Sequence, residues 1–113
     1  MSDFRKLSDT MLASPQISLD DIAEAKAVGV TLIVNNRPDG EDPSAPQGDE
    51  IAAAAEAAGL SYVAIPIGHS GFSEPQVDAL IAALEANTGA TLGYCRSGTR
   101  STAIYEQSLR LRG

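Results

Sequence analysis

The chain has 113 residues, which is enough for one small domain with a hydrophobic core of its own and leaves little room for a second unit. Its formal net charge of -7 argues against nonspecific binding of nucleic acid and against docking on an anionic membrane, although a local cationic pocket is compatible with it. The single cysteine excludes an internal disulfide, and one cysteine with one histidine argues against structural zinc, so we expect neither a metal nor another cofactor.

The first half of the chain alternates between helix and strand patterns. The N-terminal stretch "FRKLSDTMLAS" is compatible with a short strand or a hairpin. The stretch "SLDDIAEAKAVG" predicts a helix that begins at Ser18 and ends at Gly29, because Ser18 and Asp21 form a variant of the capping box and the apolar residues share one face. The apolar "VTLIV" then predicts a buried strand, which runs into the long polar loop "NNRPDGEDPSAPQG".

The second half repeats this alternation. The stretch "DEIAAAAEAAG" predicts a second helix with Gly59 as its stop, and "LSYVAIPI" predicts a second apolar strand. After the loop "GHSGF", the stretch "SEPQVDALIAALEA" predicts a third helix that is opened by a capping box of Ser73 and Gln76. A third strand is predicted at "ATLGY", and a weakly amphipathic last helix at "RSTAIYEQSLRLRG".

This order of elements predicts an α/β fold, in which a mostly parallel central sheet of about four strands is flanked by helices. We expect one domain over residues 1–113, which could lack a C-terminal element because the last helix stops at the chain end. The loops that leave the carboxyl ends of parallel strands share one edge of the sheet, where ligands bind, so the loops that begin at Asn35, Gly68 and Cys95 should converge. Their polar and cationic residues are Arg37, Asp39, His69, Ser70, Cys95, Arg96, Ser97, Thr99 and Arg100.

The only cysteine, Cys95, lies in "TLGYCRSGTRST", directly after a predicted strand and before a predicted helix. In this position the N–H groups of the turn and the helix dipole favour an anion and lower the pKa of a thiol, so Cys95 is predicted to be a nucleophilic thiolate. Gly98 would let the backbone approach a ligand closely. Arg100 offers a planar fork for two oxygens of a phosphate, sulfate or thiosulfonate.

The other polar residues of these loops are candidates for substrate binding. Ser97 or Ser101 could hydrogen-bond the sulfur, and Thr99 belongs to the same anion-binding loop. Arg96 could bind the substrate, or it could be a solvated surface charge. Arg37 could reach the anion from the neighbouring loop, or it could pair with Asp39 or Glu41 on the surface.

The motif "CRSGTRS" resembles the active loops of rhodanese sulfurtransferases and of protein tyrosine or dual-specificity phosphatases. Together with "NNRPDGE", the alanine-rich helix and "YVAIPI", the longer motif "YCRSGTRS" resembles the small bacterial family of beta-lactamase-hydrolase-like phosphatase domains. The resemblance extends from about "SPQIS" to the end of the chain. It implies a phosphatase-type α/β fold, with Cys95 as the nucleophile and Arg100 as the anion-binding arginine.

Two departures from the phosphatase pattern bear on the reaction. Four residues separate Cys95 from Arg100, which is the spacing of a rhodanese loop, whereas tyrosine phosphatases have five. Residues 68–70 stand where dual-specificity phosphatases carry their acidic aspartate. The proton donor would then be His69 or, from the neighbouring loop, Asp39, although each also fits a solvated loop residue or a turn former.

On these grounds the sequence favours sulfur transfer. Cys95 would attack the outer sulfur of thiosulfate or of a persulfide and pass it to an acceptor thiol, which requires no strong general acid. The alternative is a tyrosine or dual-specificity type phosphatase, which forms a phosphocysteine. A third hypothesis is an anion-binding or redox-sensing module with a low-pKa thiol.

All three hypotheses imply the same kind of ligand and the same cellular location. Each implies a small anionic substrate, which is thiosulfate, a persulfide or a phosphoester, and none involves nucleic acid or a membrane. The sequence contains no signal-peptide pattern and no apolar run of membrane-spanning length. A cytoplasmic location is therefore expected.

Overall fold

The computed structural model describes residues 3–112, which are organised around a five-stranded sheet. The strands are β1 (Arg5–Ser8), β2 (Met11–Ser14), β3 (Val30–Asn35), β4 (Ser61–Ala64) and β5 (Ala90–Tyr94). Their order across the sheet is β1-β2-β5-β3-β4, and β1 with β2 is the antiparallel pair among otherwise parallel neighbours. The predicted α/β fold with a mostly parallel sheet is confirmed.

The sheet has five strands rather than about four, because the N-terminal segment supplies two of them. β1 and β2 form a hairpin, in which Arg5 lies opposite Ala13. β2 also pairs in parallel with β5, so that Met11 lies opposite Thr91. The hairpin therefore extends the sheet instead of lying outside it.

The second predicted strand, "LSYVAIPI", is shorter than its apolar run, since β4 ends at Ala64. Pro66 has no N–H to donate to a ladder. The residues on either side of it, Ile65 and Ile67, donate their N–H groups to the carbonyls of Asn35 and Asn36 at 2.9 Å each. The chain after β4 therefore stays attached to the end of β3 as a loop.

The helices of the described chain are α1 (Leu19–Ala27), α2 (Gly48–Ala57), α3 (Glu74–Ala86) and α4 (Thr99–Arg112). The predicted capping box of α1 is present: the Ser18 N–H donates to Asp21 Oδ2 at 2.9 Å, and the Asp21 N–H donates to Ser18 Oγ at 3.3 Å. At the start of α3, Gln76 Oε1 accepts the Ser73 N–H at 2.6 Å. The four predicted helices are confirmed.

Apolar residues cover both faces of the sheet. On one face, Ile22 of α1 and Ile51 of α2 belong to the same buried cluster as Ile33 of β3. On the other face, Leu80 of α3 and Ile104 of α4 belong to a second buried cluster. A strand covered on both faces explains the nearly continuous apolar run at "VTLIV". None of the helices within residues 3–112 combines the length and the apolar content that spanning a bilayer requires.

The carboxyl ends of β2, β5, β3 and β4 lie at one edge of the sheet. The pairing register places Ser14 beside Tyr94, Tyr94 beside Asn35, and Asn35 beside Ala64. The loops that follow these strands therefore converge, as the topology predicts. One of them, residues 15–18 after β2, was not expected at this edge, because the N-terminal strands could not be placed in the sheet from sequence.

Candidate active site

Cys95 begins the loop between β5 and α4, and its side chain is fully buried. Its N–H donates to the carbonyl of Ser14 at 3.3 Å. The carbonyl of the next residue, Arg96, accepts the N–H of Gln16 at 3.3 Å. These bonds attach the cysteine loop to the segment after β2.

Backbone N–H groups surround the Cys95 sulfur. Gly98 donates its N–H to Sγ at 3.1 Å, and the N–H groups of Ser97, Arg100 and Ser101 also act on the thiol. Burial raises the pKa of the Cys95 thiol, but these donors outweigh burial and hold the pKa below its usual value. α4 starts at Thr99, directly after this loop, so its dipole adds positive potential at the same place. The arrangement favours a thiolate with an anion beside it.

The serine hydroxyls of the loop have partners other than the sulfur. The buried hydroxyl of Ser101 donates to Asn36 Oδ1 at 2.7 Å. The hydroxyl of Ser97 donates to Thr99 Oγ1 at 3.0 Å, and both of these residues are exposed. The hydrogen bonds to the Cys95 sulfur therefore come from backbone N–H groups rather than from a serine hydroxyl.

Gly98 owes its place to the turn and to the neighbouring strand. Its φ is 90°, in the left-handed region that favours glycine. A Cβ at this position would lie 3.3 Å from the carbonyl carbon of Ser14, closer than ordinary van der Waals contact. The sequence predicts that the backbone at Gly98 approaches a ligand closely, and in the structure it approaches the end of β2. In this position the Gly98 N–H points at the Cys95 thiol.

Arg100 forms a bidentate ion pair with Glu41, which lies in the loop after β3. Its Nη1 and Nη2 donate to Glu41 Oε2 and Oε1 at 2.8 and 2.9 Å, and Nη1 also donates to the carbonyl of Ile67. The hydrogen bond from Arg100, opposed by burial and assisted by Arg37, lowers the pKa of Glu41 to about 2. The Arg100 pKa is raised, mainly by Glu41 and further by the adjacent Cys95.

Arg37 makes a second ion pair with the same carboxylate. Its Nε donates to Glu41 Oε1 at 3.0 Å, and its Nη1 donates to Gln16 Oε1 at 2.9 Å. The Arg37 side chain is only 10% exposed. Of the two interpretations open from sequence, pairing within its own loop is the one observed, and Arg37 also connects that loop to the segment after β2.

Asp39 is a helix cap in this structure. Its Oδ1 accepts the N–H of Gly48, the first residue of α2, at 2.8 Å. A Cβ on Gly48 would lie 3.0 Å from that oxygen and from Tyr62 Oη, so a larger residue would require these side chains to shift. Asp39 lines a narrow cavity of about 10 Å³ at the start of α2 rather than the wider cavity beside the cysteine loop. Asp39 is thus hydrogen-bonded at the start of α2 and is not among the residues that line the cavity beside the cysteine loop.

His69 borders the wider cavity, whose volume is about 400 Å³. Its Nε2 lies 3.9 Å from Glu41 Oε2, and its side chain is 83% exposed. Arg96 also lines the cavity and is exposed, as is Ser70 next to His69. The cavity is lined by Arg37, Glu41, Asp42, His69 and Arg96. Its arginine and histidine side chains suit a small anionic ligand.

Sequence reasoning missed the central roles of Asn36 and Glu41 and the contribution of Gln16. Asn36 is buried, donates from Nδ2 to the carbonyl of Ile65 at 2.9 Å and accepts from Ser101. It therefore connects the loop after β3 to the segment after β4 and to the start of α4. An asparagine at the end of an apolar strand is a signal for such a buried amide, because it needs partners from other segments. For Glu41, the sequence suggests only a surface pairing with Arg37, because its partner Arg100 is distant in the chain.

Comparison with known proteins assigns nearly the whole chain to one family. A family model described as "Beta-lactamase hydrolase-like protein, phosphatase-like domain" matches residues 3–111. A beta-lactamase hydrolase-like protein from Xylella fastidiosa (strain Temecula1) is 33% identical over 102 residues. That match covers 90% of this chain and 24% of the relative, so the chain spans about a quarter of the length of the curated relatives that it matches.

Solved structures with the same fold include phosphatases. A candidate phosphatase from Neisseria meningitidis superposes with a TM-score of 0.80 and 28% identity, over 88% of this chain and 71% of that chain. TpbA from P. aeruginosa, solved as a cysteine-to-serine variant in complex with pTyr, has a TM-score of 0.62 and 16% identity, over 85% and 54% of the two chains. The second likeness shows the fold alone.

Proposed function

The chain belongs to the family of the phosphatase-like domain of beta-lactamase hydrolase-like proteins, and from this we propose that it hydrolyses phosphomonoesters through Cys95. The observation that carries the proposal is the buried Cys95 thiol, which backbone N–H groups surround and beside which Arg100 lies. Such a site stabilises a thiolate and binds the oxygens of a phosphoryl group. Sequence reasoning preferred sulfur transfer, whereas the family and the matched structures favour a phosphatase, so phosphoester hydrolysis is placed first.

In the first step, Cys95 Sγ attacks the phosphorus as the bond from phosphorus to the ester oxygen breaks. An S–P bond forms, and the leaving alkoxide takes a proton from the His69 imidazolium. The loop N–H groups and Arg100 bind the phosphoryl oxygens, whose charge they stabilise in the transition state. The product is a phosphocysteine and a free alcohol.

In the second step, water attacks the phosphorus of the phosphocysteine and gives its proton to neutral His69. The S–P bond breaks with its electron pair returning to sulfur, which releases inorganic phosphate and restores the thiolate. His69 is assigned as the acid and base because it borders the cavity beside the cysteine loop, whereas Asp39 caps α2.

A second candidate function is sulfur transfer, which two observations favour. The loop has four residues between Cys95 and Arg100, and the proposed acid, His69, is largely exposed. The thiolate would attack the outer sulfur of thiosulfate, form an S–S bond and release sulfite with the electron pair of the broken bond. An acceptor thiolate would then attack the outer sulfur of the Cys95 persulfide, which restores the Cys95 thiolate. No proton donor is required in this sequence.

One experiment separates the two functions. The protein is mixed with an aryl phosphate, and separately with thiosulfate, and its intact mass is recorded after rapid quenching. We expect a gain of one phosphoryl group with the aryl phosphate, together with continuous release of phosphate. The Cys95→Ser variant should show neither the adduct nor turnover.

The acid is tested by His69→Asn beside Asp39→Asn. Loss of His69 should slow hydrolysis of an alkyl phosphate about 10²-fold or more and affect a nitrophenyl phosphate less, since nitrophenolate leaves without a proton. Asp39→Asn should preserve this leaving-group dependence. A gain of one sulfur atom with turnover from thiosulfate, and no phosphate release, would establish the second function instead. Stoichiometric modification without turnover would indicate a sensing module.

A further inference from the structure

Three N–H groups of Arg100 are already used within the protein. The Nη1 and Nη2 groups share the Glu41 carboxylate, and the second N–H of Nη1 reaches the carbonyl of Ile67. A planar guanidinium carries five N–H groups. The two that remain are Nε–H and the second N–H of Nη2, which lie side by side on the other edge of the plane.

Since the other N–H groups are engaged, a ligand at the thiol would meet Arg100 through this remaining edge. The Arg100 guanidinium interacts with Cys95, which contributes to raising the Arg100 pKa. A pair of parallel N–H groups matches two oxygens of one oxyanion. An arginine free to rotate would lose this alignment, because its long side chain has many rotamers.

Glu41 is itself fixed from several directions. Arg37 binds its Oε1, and the loop that carries it is folded onto the side chain of Gln47. Gln47 Oε1 accepts the Gly40 N–H at 2.7 Å, and Gln47 Nε2 donates to the carbonyls of Asp42 and Ala45 at 3.0 and 2.8 Å. Several hydrogen bonds therefore hold the loop where Glu41 meets Arg100.

We propose that Glu41 is a positioning residue, which occupies one edge of the Arg100 guanidinium and thereby directs the other edge at an oxyanion bound beside Cys95. The inference rests on the proposed anion-binding role of Arg100. The proposed effect is that a partly buried carboxylate strengthens the binding of another anion.

The positioning role predicts a change in anion affinity opposite to the one expected from charge alone. Removing a negative charge a few ångströms from a bound anion should strengthen anion binding, and two arginines would also be released. If Glu41 positions Arg100, its removal should weaken binding instead. Asp42 supplies a matched control, because it lines the same cavity but its carboxylate accepts from Ser44.

The test measures binding of inorganic phosphate, and in parallel of thiosulfate, by titration calorimetry in the Cys95→Ser background. We expect Glu41→Gln to weaken the binding of whichever anion binds by about tenfold or more. Asp42→Asn should leave the affinity unchanged within about twofold or make it tighter. Glu41→Asp keeps the charge but shortens the reach, so it should also weaken binding, and it serves if Glu41→Gln does not fold.

Unchanged or tighter binding in Glu41→Gln would overturn the proposal, as would equal losses in Glu41→Gln and Asp42→Asn. Absence of detectable binding of both anions by the Cys95→Ser protein would also overturn it. Because the measurement requires no turnover, weaker binding in the Glu41 variants of a protein that hydrolyses nothing would sustain the positioning role while removing the proposed function.

Discussion

The buried hydrogen bond between Ser101 and Asn36 should be a measurable part of the stability of this protein. Ser101 Oγ donates to Asn36 Oδ1 at 2.7 Å, and Asn36 Nδ2 donates to the carbonyl of Ile65 at 2.9 Å. Ser101 and Asn36 are 0% and 1% exposed. Neither group can turn to water when its partner is removed, so each truncation leaves a buried polar atom unsatisfied.

The magnitudes follow from these contacts. Ser101→Ala removes one bond and leaves the Asn36 oxygen without that donor, which should cost about 1–3 kcal/mol of unfolding free energy. Asn36→Ala removes two bonds and leaves a cavity, which should cost about 2–4 kcal/mol. The double variant should be less destabilised than the sum of the two by about 1 kcal/mol, since the shared bond can be lost only once.

Urea unfolding of the four proteins of this cycle at neutral pH measures these values. Ser70→Ala removes an exposed hydroxyl and should change the unfolding free energy by no more than about 0.5 kcal/mol. Ser101→Ala should also retain the wild-type rate of Cys95 alkylation, because the Ser101 N–H, and not its hydroxyl, acts on the sulfur. If Ser101→Ala behaves like Ser70→Ala, or the two effects add fully, the structural role assigned to this pair is refuted.

Three further predictions concern charge and backbone. Because the pKa of Glu41 falls from 4.5 to about 2 on folding, its contribution to stability is complete above pH 4.5 and is lost as pH falls through 2. The difference in unfolding free energy between wild type and Glu41→Gln should therefore shrink by about 2 kcal/mol between pH 6 and pH 2, and a constant difference would contradict the assignment. The rate of Cys95 alkylation by iodoacetamide should rise with pH to a midpoint below that of a free cysteine under the same conditions, because the backbone N–H groups outweigh burial; a midpoint at or above that of free cysteine would mean that burial prevails. Gly98→Ala should lower the unfolding free energy by about 1–2 kcal/mol and raise the midpoint of Cys95 alkylation. Gly40 has a φ of 85° and open space around it, so Gly40→Ala should lower the unfolding free energy similarly and leave the alkylation midpoint unchanged. Equal midpoints in the two variants would contradict the contact between the Gly98 N–H and the thiol.

The elements that sequence predicted best are those whose signals lie within a few adjacent residues. The Ser18–Asp21 and Ser73–Gln76 boxes are local patterns, and α1 and α3 begin where these boxes place them. The end of β4 was placed too late, because an apolar run looks the same whether it pairs as a strand or packs as a loop. Pro66 was the available signal for the earlier end.

In the candidate site, too, the features set by adjacent residues are predictable from sequence, and those set by distant residues are not. A strand, a glycine and a helix start, in this order, predict backbone N–H groups around Cys95, and the structure contains them. The partners of its side chains do not follow, because Glu41 lies 59 residues from Arg100 and Asn36 lies 65 residues from Ser101. Such pairs depend on the strand order, and the place of β2 beside β5 was not available from local patterns.

The position of β5 between β2 and β3 also constrains how the protein folds. β5 is the last strand in the chain, yet it fills the middle of the sheet, so before it inserts β2 and β3 each present an unpaired edge to the gap between them. The contacts that close this gap join distant parts of the chain, and such contacts slow folding. Because the Cys95 loop follows directly from β5, the nucleophile is assembled only as the sheet closes. A partly folded chain would thus carry an ordinary thiol, and the onset of fast alkylation during refolding would mark the insertion of the central strand.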